Sequence, residues 1–195
     1  WMVMVLKSAQ MSGLAIDEQS FADALHFIED MTDPVTGRTG YTDRGSAPSR
    51  LNDMEQLFPP ERSESLTAVG MLVRIFAQHD PMQDGAIVRG AELLTARLPL
   101  WEASTGDIDF YYWYYATLAM FQVGGPRWKS WNEALKTACI DHQRVDKSDC
   151  AYGSWDPIDP WSQSGGRVYA TAMNCLCMEV YYRYPRVFGV AGKRK

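Results

Sequence analysis

The chain has 195 residues, 46% of them hydrophobic, 22% charged and 12% aromatic, which excludes a disordered or fibrous protein. Nineteen basic and 24 acidic side chains give a formal net charge of -5, so we expect no nucleic-acid partner. The apolar start Trp1–Leu6 is cut short by Lys7, far below the roughly 20 apolar residues of a membrane-spanning helix. The chain opens on this stretch without an initiator Met, which predicts that it is a piece of a longer protein.

Four segments carry apolar residues at helical spacing around nearly their whole circumference. They are Trp1–Gly13, Ser65–Gln78, Tyr112–Gly124 and Val168–Tyr184. The last two align as Y-Y-A-T-L-A-M and V-Y-A-T-A-M-N, and S-L-T-A-V-G-M of the second segment fits the same frame. This pattern predicts four inner helices that are buried on most sides.

A more amphipathic segment follows each of the first three inner helices, with one apolar face and one charged face. These segments are Glu18–Asp30, Asp84–Arg97 and Trp128–Asp141, and they predict outer helices with one face in water. Gly- and Pro-rich loops then lead to the next inner helix, at Thr36–Pro48, Glu102–Asp109 and Cys150–Gly166.

The repeating unit is a helical hairpin of about 50 residues, and no segment shows the alternation of a strand. We therefore predict an all-α fold in which residues 1–195 form a single domain with an inner and an outer layer of helices. Each hairpin needs neighbours to cover its apolar face. Because three and a half hairpins cannot close a ring, we expect an open arc, a pair of chains, or part of a longer polypeptide.

Cysteine and histidine are too scattered to indicate a metal site, a cofactor or a disulfide scaffold. On a helix, at roughly 100° per residue, the side chains of Cys175 and Cys177 point about 200° apart and cannot coordinate the same metal ion. The tract containing His142, Asp149 and Cys150 has zinc-ligating residue types at a spacing that matches no metal signature. We predict no metal and no cofactor.

Paired helices with a Gly-aromatic loop before each inner helix resemble the α/α-toroid of terpenoid cyclases and protein prenyltransferase β subunits. Gln143 followed by Gly153-Ser154-Trp155 is similar to the Gln-to-Gly-x-Trp repeat of squalene-type cyclases, with a longer tract between. In those proteins the Gln and Trp tie one hairpin to the next. The resemblance implies a partial toroid ring of the squalene-cyclase-like kind, which also has members without an assigned activity.

Asp107-Ile108-Asp109-Phe110 resembles the Asp-x-Asp-Asp tract that supplies the acid in squalene–hopene-type cyclases. The resemblance implies Asp109 as a catalytic general acid, assisted by Asp107, although Phe110 replaces the third Asp. A proton donor of this kind must be held neutral by its surroundings. The alternative is that Asp109 caps the following helix through its free backbone amides.

The tract Asp109-Phe110-Tyr111-Tyr112 is similar to the D-F-Y-H stretch of prenyltransferase β subunits, whose His binds zinc. Tyr112 stands in that position, and a phenol is a poor zinc ligand. The aromatic run either fills the core or lines a pocket for an apolar ligand or a peptide. Its candidate ligand-binding residues are Tyr111, Tyr112, Trp113 and Tyr115.

The loop Trp155–Trp161 concentrates stiff Asp-Pro turns and two Trp side chains. With exposed rings, Trp155 and Trp161 would form a recognition surface, and Arg167 would hold an anionic group at the start of the last inner helix. The alternative is an architectural loop, in which Trp155 fills the wedge between hairpins.

Two functions are consistent with these observations. The first is a module that binds an apolar or isoprenoid ligand, or a protein partner, without an intact catalytic motif. The second is an isoprenoid cyclase-like enzyme that uses Asp109 as its acid in a cavity lined by aromatic rings. The sequence does not indicate the compartment.

Overall fold

The computed structural model of the chain describes residues 1–51 and 53–183, which form helices joined by long loops. The described α-helices are α1 (Met2–Met11), α2 (Glu18–Met31), α3 (Ser65–Phe76), α4 (Gly85–Thr95), α5 (Phe110–Val123), α6 (Gly125–Ile140), α7 (Ser162–Met178) and α8 (Val180–Arg183). A single turn of 3-10 helix, η1, covers Pro60–Arg62. Within these residues the β-structure is limited to one isolated bridge between Thr32 and Thr39. The predicted all-α fold is confirmed.

Aspartate side chains begin three of the helices. Asp17 accepts a hydrogen bond from the Gln19 amide at the start of α2, and Asp84 accepts two at the start of α4. Asp109 does the same for α5. These carboxylates satisfy backbone amides that have no partner inside the helix and place negative charge at its positive end.

The helices that the sequence predicts to be inner contact one another in chain order: α1 packs on α3, α3 packs on α5, and α5 packs on α7. The amphipathic helices pack against them, with α2 on α3, α4 on α3 and α5, and α6 on α5 and α4. Each amphipathic helix therefore contacts the helix that precedes it or follows it in the chain.

The core is centred on α5. Every residue of this helix is buried except Tyr111 and Phe121, which are partly exposed. Most of α3 is buried as well. This burial agrees with the apolar residues that both helices carry around nearly their whole circumference.

The first helix departs from the predicted burial. Lys7 is the only buried residue of α1, and Met2 and Val5 are mostly exposed. The reason is that α1 packs mainly against α3, so its other faces meet solvent.

The last predicted inner helix also differs at its ends. Residues 162–178 run as one helix interrupted at Gly166, whose φ of 59° bends the backbone. The predicted final residue, Tyr184, lies outside the described residues. None of the described helices is both long and apolar enough to cross a membrane.

Candidate functional site

The N-terminal ends of α3, α5 and α7 meet at one buried group of polar side chains. We call it the Asp109–Asp159 cluster; its members are Arg50, Ser63, Asp109, Asp159 and Trp161. Asp109 is the N-cap of α5, and Ser63 lies just before α3. Asp159 and Trp161 belong to the loop that leads into α7, while Arg50 comes from the long loop between α2 and α3. Four chain segments are therefore joined at one point.

Asp109 is 2% exposed, and both of its carboxylate oxygens are engaged. Its Oδ1 accepts from the Tyr112 amide at 3.0 Å and from Trp161 Nε1 at 3.3 Å. Its Oδ2 accepts from Ser63 Oγ at 2.9 Å and lies 2.9 Å from Arg50 Nη1. Hydrogen-bond donors and a buried guanidinium therefore surround both oxygens of the carboxylate.

Asp159 lies close to Asp109 and also binds the start of α5. Its Oδ2 accepts from the Phe110 amide at 3.0 Å and from the Tyr169 hydroxyl at 3.4 Å, and its Oδ1 accepts from Ser162 Oγ. Asp159 and Asp109 thus bind the first and third amides of α5.

The cluster holds two buried carboxyl groups and one buried arginine. Burial, and then the negative charge of Asp109, raises the pKa of Asp159 to about 7. A second negative charge in this dry site has no cation of its own, so the neutral form of Asp159 is favoured.

We expect Asp159→Asn to abolish one pH dependence of stability. The folded chain keeps a proton on Asp159 that the unfolded chain releases near its ordinary pKa, about 3.9. The free energy of unfolding of the wild type, relative to the variant, therefore falls by about 2–3 kcal/mol between pH 5 and pH 8. Denaturant titrations of both proteins at several pH values measure this difference. A difference that stays constant with pH would contradict the assignment.

Asp107 lies outside this cluster. Its carboxylate is partly exposed and pairs with Arg62 Nη1 at 3.0 Å and with Arg97 Nη1 at 3.9 Å. Asp107 and Asp109 therefore face different surroundings, one at an open cleft and one in the interior. The structure does not bring the two predicted acids together at one site.

The aromatic run divides between core and pocket. Tyr112 and Trp113 are buried in the core, where Tyr112 packs edge-on against Trp131 and Trp113 packs against Phe110. Tyr111 is partly exposed, with its ring 5.7 Å from that of Trp161. Tyr115 is buried and reaches an apolar pocket.

Trp155 is 1% exposed, which agrees with the architectural alternative and not with an exposed recognition surface at this residue. Its Nε1 donates to the Cys139 carbonyl of α6 at 2.6 Å, and its amide faces the Thr171 hydroxyl of α7 at 3.4 Å. Gln143 Nε2 donates to the Gly153 carbonyl at 2.9 Å. Trp155 thus connects the loop to α6 and α7 and fills the wedge between them, while Gln143 holds two parts of the loop together.

Arg167 is engaged within the same loop. It donates to Ser154 Oγ at 3.0 Å and to the Trp155 carbonyl at 3.1 Å, and it pairs with Asp156 at 2.7 Å. These contacts hold the loop against α7. Trp161, in contrast, is partly exposed and belongs to the Asp109–Asp159 cluster.

An apolar pocket of about 300 Å³ lies between α1, α2 and α3. We call it the α1–α3 pocket; it is lined by Trp1, Met2, Val3, Met4, Ala24, Phe27, Ile28, Val69, Leu72, Val73, Phe76 and Tyr115. The Trp1 ring lies 5.9 Å from that of Tyr115 at one side. The volume is at the lower end of the range of small-molecule sites, and the side chains of the lining are apolar apart from the Tyr115 hydroxyl and the Trp1 indole N–H.

Sequence reasoning does not find Asp159 and Arg50 as partners of Asp109. Asp159 precedes a proline, which is the sequence context of a turn residue, and no local pattern links Arg50 to a position 59 residues away. The α1–α3 pocket is missed as well, because its lining comes from helices whose apolar pattern indicates only packing.

In the part of the chain that the structure describes, no three His, Cys, Asp or Glu side chains form a group able to hold a metal ion. Comparison of the chain with models of protein families, with curated proteins and with solved structures gives no match.

Proposed function

We propose that the domain is a binding module for a small apolar ligand of the isoprenoid class, built on a squalene-cyclase-like partial α/α-toroid. The observation that carries this proposal is the α1–α3 pocket, about 300 Å³ in volume and lined by aliphatic, aromatic and thioether side chains. In such a lining each buried methylene of a ligand contributes about 0.8 kcal/mol to the free energy of binding.

The contacts of Asp109 favour a binding module over the cyclase-like enzyme. A catalytic acid must carry a proton that it can give to the substrate. Asp109 instead caps α5 and lies 2.9 Å from Arg50, so both of its carboxylate oxygens are occupied by contacts within the domain. Ser63 and Trp161 donate to the same carboxylate, so its role in the domain is to join loops.

The pocket is tested by filling it. Ala24 of α2 lines the pocket, so Ala24→Phe is expected to occupy its space and weaken binding of geraniol, a short isoprenoid alcohol, by at least about tenfold. Isothermal titration calorimetry measures the affinity. Ala22→Phe is the matched control, because Ala22 is an exposed residue of the same helix outside the pocket lining.

The proposal predicts that Ala22→Phe binds geraniol within about twofold of the wild type. Wild-type affinity in Ala24→Phe would place the ligand elsewhere and contradict the proposal, as would the absence of saturable binding to the wild type. Thermal unfolding of both variants checks that the fold is kept.

A further inference from the structure

A second concave site lies on the outside of the Asp109–Asp159 cluster, between η1, the end of α4 and the loop before α5. We call it the arginine cleft; it encloses about 230 Å³ and is lined by Arg62, Ala96, Arg97, Leu98, Leu100, Asp107 and Tyr112. None of these residues lines the α1–α3 pocket, so a ligand of the arginine cleft is independent of the proposed function.

The charges that line the arginine cleft do not balance. Arg62 and Arg97 supply two positive charges, and Asp107 is the only acidic side chain among the described lining residues. Both guanidinium groups reach this one carboxylate, at 3.0 Å and 3.9 Å. The cleft therefore keeps a net positive charge on a chain whose formal net charge is -5.

Both arginines remain accessible. Their side chains line the cleft and are 40% and 41% exposed. The Tyr112 hydroxyl donates to the Arg97 carbonyl at 2.9 Å and holds the backbone of Arg97 against the core. Arg97 Nη2 also donates to the Glu61 carbonyl at 3.4 Å. The planar fork of each arginine suits a carboxylate.

The other wall of the cleft is aliphatic. Leu98 is 37% exposed and Leu100 is 52% exposed, and Ala96 lies beside them at the end of α4. A ligand that places a negative group between the guanidiniums lays its body against these side chains. Burying that body adds to the affinity in proportion to its apolar area.

We infer that the arginine cleft binds a small organic carboxylate with an aliphatic body, with Arg62 and Arg97 holding the carboxylate and Leu98 and Leu100 packing on the hydrocarbon. Asp107 occupies part of the same cationic surface and competes with the ligand. This competition distinguishes a binding site from a purely structural group of ion pairs. In a binding site, removing the charge of Asp107 strengthens binding of the carboxylate; in a structural group it only removes two ion pairs.

The experiment titrates the protein with hexanoate, using hexanol and inorganic phosphate as comparison ligands, and follows binding by calorimetry. We expect saturable binding of hexanoate that is weakened about tenfold by Arg97→Gln and tightened about tenfold by Asp107→Asn. Hexanol lacks the charge and phosphate lacks the aliphatic body, so both are expected to bind more weakly. Added salt is expected to weaken hexanoate binding, because the arginines are partly exposed.

Arg127→Gln is the matched control, since Arg127 pairs with Glu92 at 2.9 Å outside the cleft and has a similar exposure. It changes the net charge as Arg97→Gln does and is expected to leave hexanoate affinity unchanged. Hexanoate binding that is insensitive to Arg97→Gln would overturn the inference. The inference would also be overturned if hexanol or phosphate bound as tightly as hexanoate. A third contrary result is that neither the wild type nor Asp107→Asn binds hexanoate saturably. Thermal unfolding verifies that each variant is folded.

Discussion

Replacing Arg50 by methionine is expected to lower the free energy of unfolding by about 3–5 kcal/mol, a large share of the stability of a domain this size. The Arg50 side chain is 1% exposed, and its Nη1 lies 2.9 Å from Asp109 Oδ2. Arg50 Nε also donates to the Phe58 carbonyl at 3.1 Å. Without this cation the cluster holds a buried negative charge with no counter-ion. Denaturant titration at neutral pH measures the loss.

Two controls separate charge from packing. Arg127→Met removes an exposed pair with Glu92 and is expected to change stability by less than about 1 kcal/mol. The double variant Arg50→Met with Asp109→Asn removes both charges, so we expect it to be more stable than Arg50→Met alone. A double variant no more stable than Arg50→Met would show that packing, rather than the uncompensated charge of Asp109, causes the loss.

Trp155→Ala is expected to cost about 3–5 kcal/mol, the range for deleting a large buried aromatic side chain. Trp155 is 1% exposed and donates to the Cys139 carbonyl, so its removal leaves a cavity between α6 and α7 and an unpaired buried acceptor. Chemical denaturation measures the change in the free energy of unfolding.

The matched control for Trp155→Ala is Tyr182→Ala, since the Tyr182 side chain is 91% exposed. This substitution is expected to stay within about 0.5 kcal/mol of the wild type. Trp155→Phe keeps most of the aromatic volume and loses the indole donor, so it is expected to fall between the wild type and Trp155→Ala. A small loss in Trp155→Ala would mean that the wedge does not hold the two helix pairs together.

Much of the fold is predictable from the sequence because helix formation and burial depend on the residue pattern within each segment. Apolar residues around the whole circumference of α3 and α5 predict their burial, and Asp109 before an apolar run predicts a cap. The Gln143 side chain donates to the Gly153 carbonyl, a contact within the loop between α6 and α7. The toroid family and the isoprenoid ligand stay predictions.

The exposure of a helix depends on its neighbours. The apolar pattern of α1 resembles that of α5, yet α1 is mostly exposed and α5 is buried, because α5 has packed helices on several sides. The same holds for Trp155 and Trp161, which share a loop. Trp155 fills a wedge between α6 and α7, whereas Trp161 is partly exposed and donates to Asp109.

The sequence by itself determined that the chain is helical, that α3 and α5 are buried and that Asp109 caps α5, because these depend on spacing along a few turns. Only the tertiary structure decided which charged side chains meet. Arg50, Asp109 and Asp159 lie in three separate loops, and their contacts depend on how α3, α5 and α7 align at one end. The raised pKa of Asp159 depends on burial and on the charge of Asp109, and both exist only after the loops have packed together.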